Sequence, residues 1–132
     1  MSAEIMPFQT RADAEMEERS RRLDALKAAL PFVVKKRKRG KRGPPSFWSV
    51  TSSGDYVADL EEGKRFARLF LPILEYNLGP AMLAWIVLDM IRAGDDEKSK
   101  GLVIGFISEI GRYGSAGAWL VATYGGGGDS AA

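Results

Sequence analysis

Apolar residues recur at helical intervals along most of this chain, and the places where that rhythm stops mark its organisation. Between about 11 and 30, Met16, Leu23, Leu26 and Leu30 fall on one narrow stripe among charged neighbours, which predicts an amphipathic helix. Thr10 followed by Asp13 resembles a capping box and sets its start, with residues 1–10 expected to be a flexible N-terminus. Glu15 with Arg19, Glu17 with Arg21 and Glu18 with Arg22 stand four apart, acid first. Each such pair adds about 0.2–0.5 kcal/mol to a helix. So narrow a stripe suits a seam against a single partner, either the chain's own body or a second copy. Pro31 ends this helix, because proline lacks a donor and disfavours helical geometry in the residue before it.

The rhythm resumes beyond residue 46. Phe47 to Thr51 has aromatic and β-branched character and reads as a strand-like anchor. Ser52-Ser53-Gly54-Asp55 is a turn signal, and a helix from about 56 or 59 to 77 follows, with Asp59 and Glu62 as a possible cap. Leu60, Gly63, Phe66, Ala67, Phe70, Ile73 and Leu74 line its apolar face, which Pro72 should kink or split. Gly79-Pro80 opens the next helix, which runs to Gly94 as its expected cap. Its stretch AMLAWIVLDMI is apolar nearly all round, the pattern of a central buried helix. Asp95, Asp96 and Glu97 favour a further helix start, running to about 112, although Leu102 to Ile107 also fits a short buried strand. Gly101 and Gly105 form a close-packing face, a short apolar piece around Trp119 to Tyr124 closes the core, and residues 125–132 are a disordered glycine-rich tail. The expected fold is mainly α: a helical body over 46–124 of about three to four helices, joined by a basic linker over 31–45 to the N-terminal helix.

Charge changes this picture at one place. Residues 1–34 carry five Lys/Arg against six Asp/Glu, residues 35–42 carry seven against none, and residues 43–132 carry seven against eleven. The blocks come to −1, +7 and −4, so the overall +2 is the property of one window. In that window Lys35, Lys36, Arg37, Lys38, Arg39, Lys41 and Arg42 repel one another, and with two glycines and a Pro-Pro pair they oppose compact structure. An exposed arm is expected. A polyanion relieves the repulsion by releasing condensed counterions, which makes nucleic acid, DNA or RNA, the expected partner. A nuclear-import signal, an acidic membrane surface or a ribosomal RNA contact would use the same residues. The alternative is a helical interaction module that binds a partner protein or a second copy through Met16, Leu23, Leu26 and Leu30, with its basic arm on an acidic protein surface.

Other chemistry finds little support. The chain has no cysteine and no histidine, which removes thiolate sites, the commonest general base and the commonest metal ligand. No cofactor, metal or catalytic residue is expected. Asp89 within the most apolar helix has Arg92 as a ready partner, and a catalytic role would need Glu75 or Glu109 opposite it. Glu61, Glu62, Asp95, Asp96 and Glu97 lack calcium-loop spacing, Gly101 and Gly105 lack a phosphate-loop ending, and Phe47 and Trp48 read as core anchors rather than base-stacking groups. The N-terminal residues lack the pattern of a secretory signal and no apolar run reaches the roughly 20 residues of a membrane span, so a cytoplasmic location, or a nuclear one in a eukaryote, is expected.

Overall fold

A computed structural model describes residues 7–34, 46–93 and 99–125. The fold is mainly helical, as the periodicity predicts. Helix α1 spans Pro7–Ala28, α2 spans Tyr56–Phe70, α3 spans Gly79–Ala93 and α4 spans Lys100–Leu120; a 3₁₀ turn at Leu71–Glu75 follows α2, and a π turn at Val121–Gly125 follows α4. Helix α1 opens three residues before Thr10, on a proline that has no donor to lose in a first turn. Thr10 therefore lies inside the helix rather than capping it, and the last four residues of the segment expected to be a flexible N-terminus are helical.

The chain from Leu30 to Val34 is not linker. Leu30 and Phe32 are buried, and Phe32 lies at the centre of an aromatic cluster with Trp48, Phe66 and Phe106 at ring separations of 5.2–5.6 Å. The body therefore includes the end of the N-terminal segment, because Phe32 supplies volume that no residue of 46–124 replaces. Phe70, Ile73, Met82, Ile86, Met90 and Leu102 complete the core.

Helices α2 and α4 run side by side in the same direction, since Tyr56 lies beside Gly101, Leu60 beside Gly105, and Arg68 beside Glu109. Their contact depends on missing side chains. A Cβ on Gly63 would strike the Leu102 carbonyl oxygen and one on Gly105 the Leu60 carbonyl oxygen, so only glycine lets the two backbones approach this closely. The expected close-packing face is thus in place. The residues Leu102 to Ile107 are helical, and the helix continues to Leu120 instead of stopping near 112.

The start and split of α2 follow the sequence. Asp55 caps it by accepting from the Val57 N–H at 3.0 Å, and the α-helix stops at Phe70, with Pro72 opening the 3₁₀ turn. Asp59 is not a cap. It is a buried side chain that accepts from the Ser52 hydroxyl at 2.5 Å, and from the Ser53 N–H at 3.0 Å and hydroxyl at 2.7 Å.

Two expectations of burial fail. Helix α3 is not enclosed all round: Met82, Ile86 and Met90 face the core, while Trp85 is 44 % exposed and Leu88 and Ile91 are also open. Among the described residues, one side of α3 meets the body and no element covers the other. The apolar piece after Gly114 does not close the core either, since Trp119, Leu120, Val121 and Tyr124 are all exposed beyond the end of α2. The expected Gly94 cap, the acidic run Asp95-Asp96-Glu97 and the tail from 126 lie outside the described residues.

Candidate functional site

The seven cations Lys35, Lys36, Arg37, Lys38, Arg39, Lys41 and Arg42 lie outside the described residues, but both of their flanks are described. Val34 and Ser46 exchange two backbone hydrogen bonds, at 2.7 and 2.9 Å, in an antiparallel bridge. One step further in, the Ser49 N–H donates to the Phe32 carbonyl at 2.7 Å. The expected anchor is thus a pair of flanks paired to each other, one carrying Phe32 and the other Trp48 into the core with their rings 5.4 Å apart. The basic segment leaves and re-enters the body at one point.

Asp89 fixes the second flank. Its Oδ2 accepts from the Phe47 N–H at 2.7 Å and its Oδ1 lies 3.5 Å from the Arg92 guanidinium, so the carboxylate ties α3 to the residue that follows the bridge. Phe47 stacks at 5.3 Å on Trp85, and Trp48 is buried among Phe32, Phe66 and Phe106, which makes both aromatics anchors rather than surfaces for bases. Sequence spacing points Asp89 to Arg92 but carries no sign of the Phe47 contact, which spans 42 positions.

The stripe of α1 divides. Leu23 and Leu26 pack against the core and Leu30 is buried, whereas Met16 is 70 % exposed on a helix whose residues from Thr10 to Arg22 are all exposed. Of the three expected ion pairs only Glu17 with Arg21 forms, at 3.8 Å, and Arg21 also meets Glu18 at 3.2 Å. Arg19 turns away to stack 4.4 Å above the Tyr76 ring and to donate to the Glu75 carbonyl at 3.3 Å, which joins α1 to the 3₁₀ turn.

The remaining carboxylates do not assemble a reactive pair. Glu109 is buried between Arg112 at 3.0 Å and Arg68 at 3.3 Å, and these guanidinium groups, Arg112 foremost, hold its carboxyl below the usual range against the opposing effect of burial. Asp59 is also held below its usual range, by the Ser52 hydroxyl first and then by the Ser53 N–H and hydroxyl. Both are charged, fully partnered structural groups. Among the described residues no cluster of three or more carboxylates could hold a metal ion, and no helix is long and apolar enough to cross a membrane. Comparison with protein-family models, with curated proteins and with solved structures finds no match.

Proposed function

We propose that this protein is a non-enzymatic nucleic-acid-binding accessory or regulatory protein that contacts phosphate backbones through Lys35, Lys36, Arg37, Lys38, Arg39, Lys41 and Arg42. The observation that carries this reading is the concentration of seven cations between two flanks bridged at Val34 and Ser46. Because the rest of the chain has a negative balance, the affinity belongs to this segment, and the aromatic anchors beside it are engaged in packing. Recognition is therefore of charge, with little preference among base sequences.

About five to seven phosphate contacts give a slope of log affinity against log salt of roughly −4 to −6 on duplex DNA. Fluorescence anisotropy with random duplex DNA, single-stranded DNA and RNA at three salt concentrations measures it. Replacing the seven cations by Ser should remove both the binding and the slope. Binding no tighter than about 10⁻⁴ M to any of the three at low salt would overturn the proposal.

A second reading draws on α1, which exposes some four turns from Thr10 to Arg22 and is tied to the body there through Arg19. In it the chain is a protein-interaction module, with Met16 and the charged faces of α1 on a partner and the basic segment on that partner's acidic surface. It predicts a protein partner, retained after nuclease treatment and stable in moderate salt because apolar burial holds it.

A further inference from the structure

Leu102, Phe106, Glu109, Tyr113, Ala116 and Leu120 follow one another at alternating steps of four and three residues, the spacing of a helix–helix seam. The first three are buried against the rest of the body, largely along α2. The last three are exposed. The change falls where α2 has stopped at Phe70 on account of Pro72, so α4 outlasts the helix it packs on and its seam runs on into solvent. Trp119 and Tyr124 flank the open half and pack edge to face on each other at 6.0 Å. The opposite side of the same turns carries Gly111, Gly114, Ser115 and Ala118, with open space around the two glycines.

We propose that this open half of the α4 seam, from Tyr113 to Tyr124, is a self-association surface on which a second copy of this chain docks its own α4 end, in a two-fold antiparallel pair.

Three features favour that occupant. Tyr113, Leu120 and Tyr124, with Trp119 at their edge, lie on one side of the helix, and Val121 is the large apolar residue on the side of Gly114 and Ala118; a single neighbouring helix covers the first group, whereas a lipid environment would favour large apolar groups all round. Residues Tyr113 to Tyr124 carry no charge, and the Arg112 guanidinium that lies 4.6 Å over the Tyr113 ring is paired with Glu109, so two copies meet with little repulsion. The area is also sufficient. Tyr113, Trp119, Leu120 and Tyr124 are 46 % to 77 % exposed, and with about 150–250 Å² for a fully covered aromatic they offer about 600 Å² per copy at full cover. Twice that reaches the lower end of the roughly 1,200–2,000 Å² of a stable interface. The helix itself gains from a neighbour, because Gly111, Gly114 and Gly117 each weaken it by about 1 kcal/mol relative to Ala and, among the described residues, nothing lies within 4 Å of where their side chains would be.

The proposal does not depend on nucleic-acid binding and is tested without it. Light scattering on the full chain at about 100 μM should give twice the 14.4 kDa chain mass. Trp119→Glu with Leu120→Glu should return the mass to that of one chain with the helical circular dichroism retained, since both residues are exposed in the single chain. Met16→Glu should leave the pair intact. Leu120, the seam position nearest the midpoint between Tyr113 and Tyr124, would lie beside its own counterpart across the two-fold, and the chain has no thiol of its own, so Leu120→Cys should form an intermolecular disulfide under mild oxidation. A parent of single-chain mass overturns the proposal, including one that sediments with anionic vesicles as a single chain. A pair that survives the double substitution, or a Leu120→Cys variant that gives no cross-link, overturns it as well.

Discussion

A methyl group added at Gly105 would run into the Leu60 carbonyl oxygen, and one added at Gly114 would meet nothing. The same substitution should therefore have opposite effects at two positions of one helix. Gly105→Ala should cost about 1–3 kcal/mol or more, because the obstacle is backbone that cannot rotate away; Gly114→Ala should gain up to about 1 kcal/mol from helix propensity. Urea titrations of both variants check this, and a loss at Gly114 would show that this turn of α4 is covered. Buried charge sets the acid limit. Asp59 and Glu109 titrate lower in the folded chain than in the unfolded one, so the unfolded state binds more protons as acidity rises. Their contribution is fully present above the ordinary carboxyl range and is lost as the pH falls through it towards the folded values. Melting temperature should thus be flat from pH 7 to about 5 and fall below about pH 4, more shallowly in Glu109→Gln. The glycine face was legible as spacing, but the two latches were not. Asp59 reads as a helix cap in sequence, and only the fold of the turn before α2 shows that Ser52 and Ser53 reach back to it.

Helices were legible where apolar spacing was regular, and so was the break that Pro72 imposes after Phe70; the cap was not, since it is Asp55 of the turn and not Asp59 that caps α2. The degree of burial was not. Helix α3 carries enough apolar residues to be enclosed, yet the described residues supply neighbours for only one of its sides. Composition reports what a helix could bury, and topology decides how much it does. Phe106 and Trp85 make the difference measurable. Phe106 is fully buried and meets the rings of Phe32, Trp48 and Phe70 at 5.3–6.2 Å, so Phe106→Ala should cost about 3–5 kcal/mol. Trp85 is nearly half exposed and rests on Phe47, so Trp85→Ala should cost less than half as much, about 1–2 kcal/mol. Denaturant midpoints of the two variants decide it, and equal losses would mean that another surface covers Trp85. The α4 end illustrates the same point, since its aromatics look like core in sequence and stand exposed because α2 ends first.

At the scale of the whole molecule, the basic segment was visible from charge alone, whereas its closure at Val34 and Ser46 was not, because the bridge joins residues twelve positions apart through backbone groups that leave no trace in side-chain pattern. That closure has an energetic consequence. Folding pairs Val34 with Ser46 on either side of a +7 segment, and closing any charged loop at its ends brings its charges nearer one another on average than in an open chain. Unit charges about 10 Å apart in water repel by roughly 0.4 kcal/mol, so the difference summed over seven cations is on the order of 1–2 kcal/mol at low salt. A Debye length of about 10 Å at 0.1 M, falling to about 3 Å at 1 M, removes most of it. The opposing effect is small, because the exposed ion pairs on α1 and α2, such as Arg21 with Glu18 and Arg65 with Glu62, contribute only about 0.2–1 kcal/mol each at best. Raising sodium chloride from 20 mM to 0.5 M should therefore raise the parent's melting temperature by a few degrees, at about 1 kcal/mol per 3–5 °C for a chain of this length. The variant with all seven cations replaced by Ser should start higher at low salt and respond weakly, or in the opposite sense. Differential scanning calorimetry of the two proteins across that range compares the slopes. Parallel slopes would show that the bridge does not concentrate the charge, and would remove the physical reason for expecting a polyanion to be drawn to this part of the molecule.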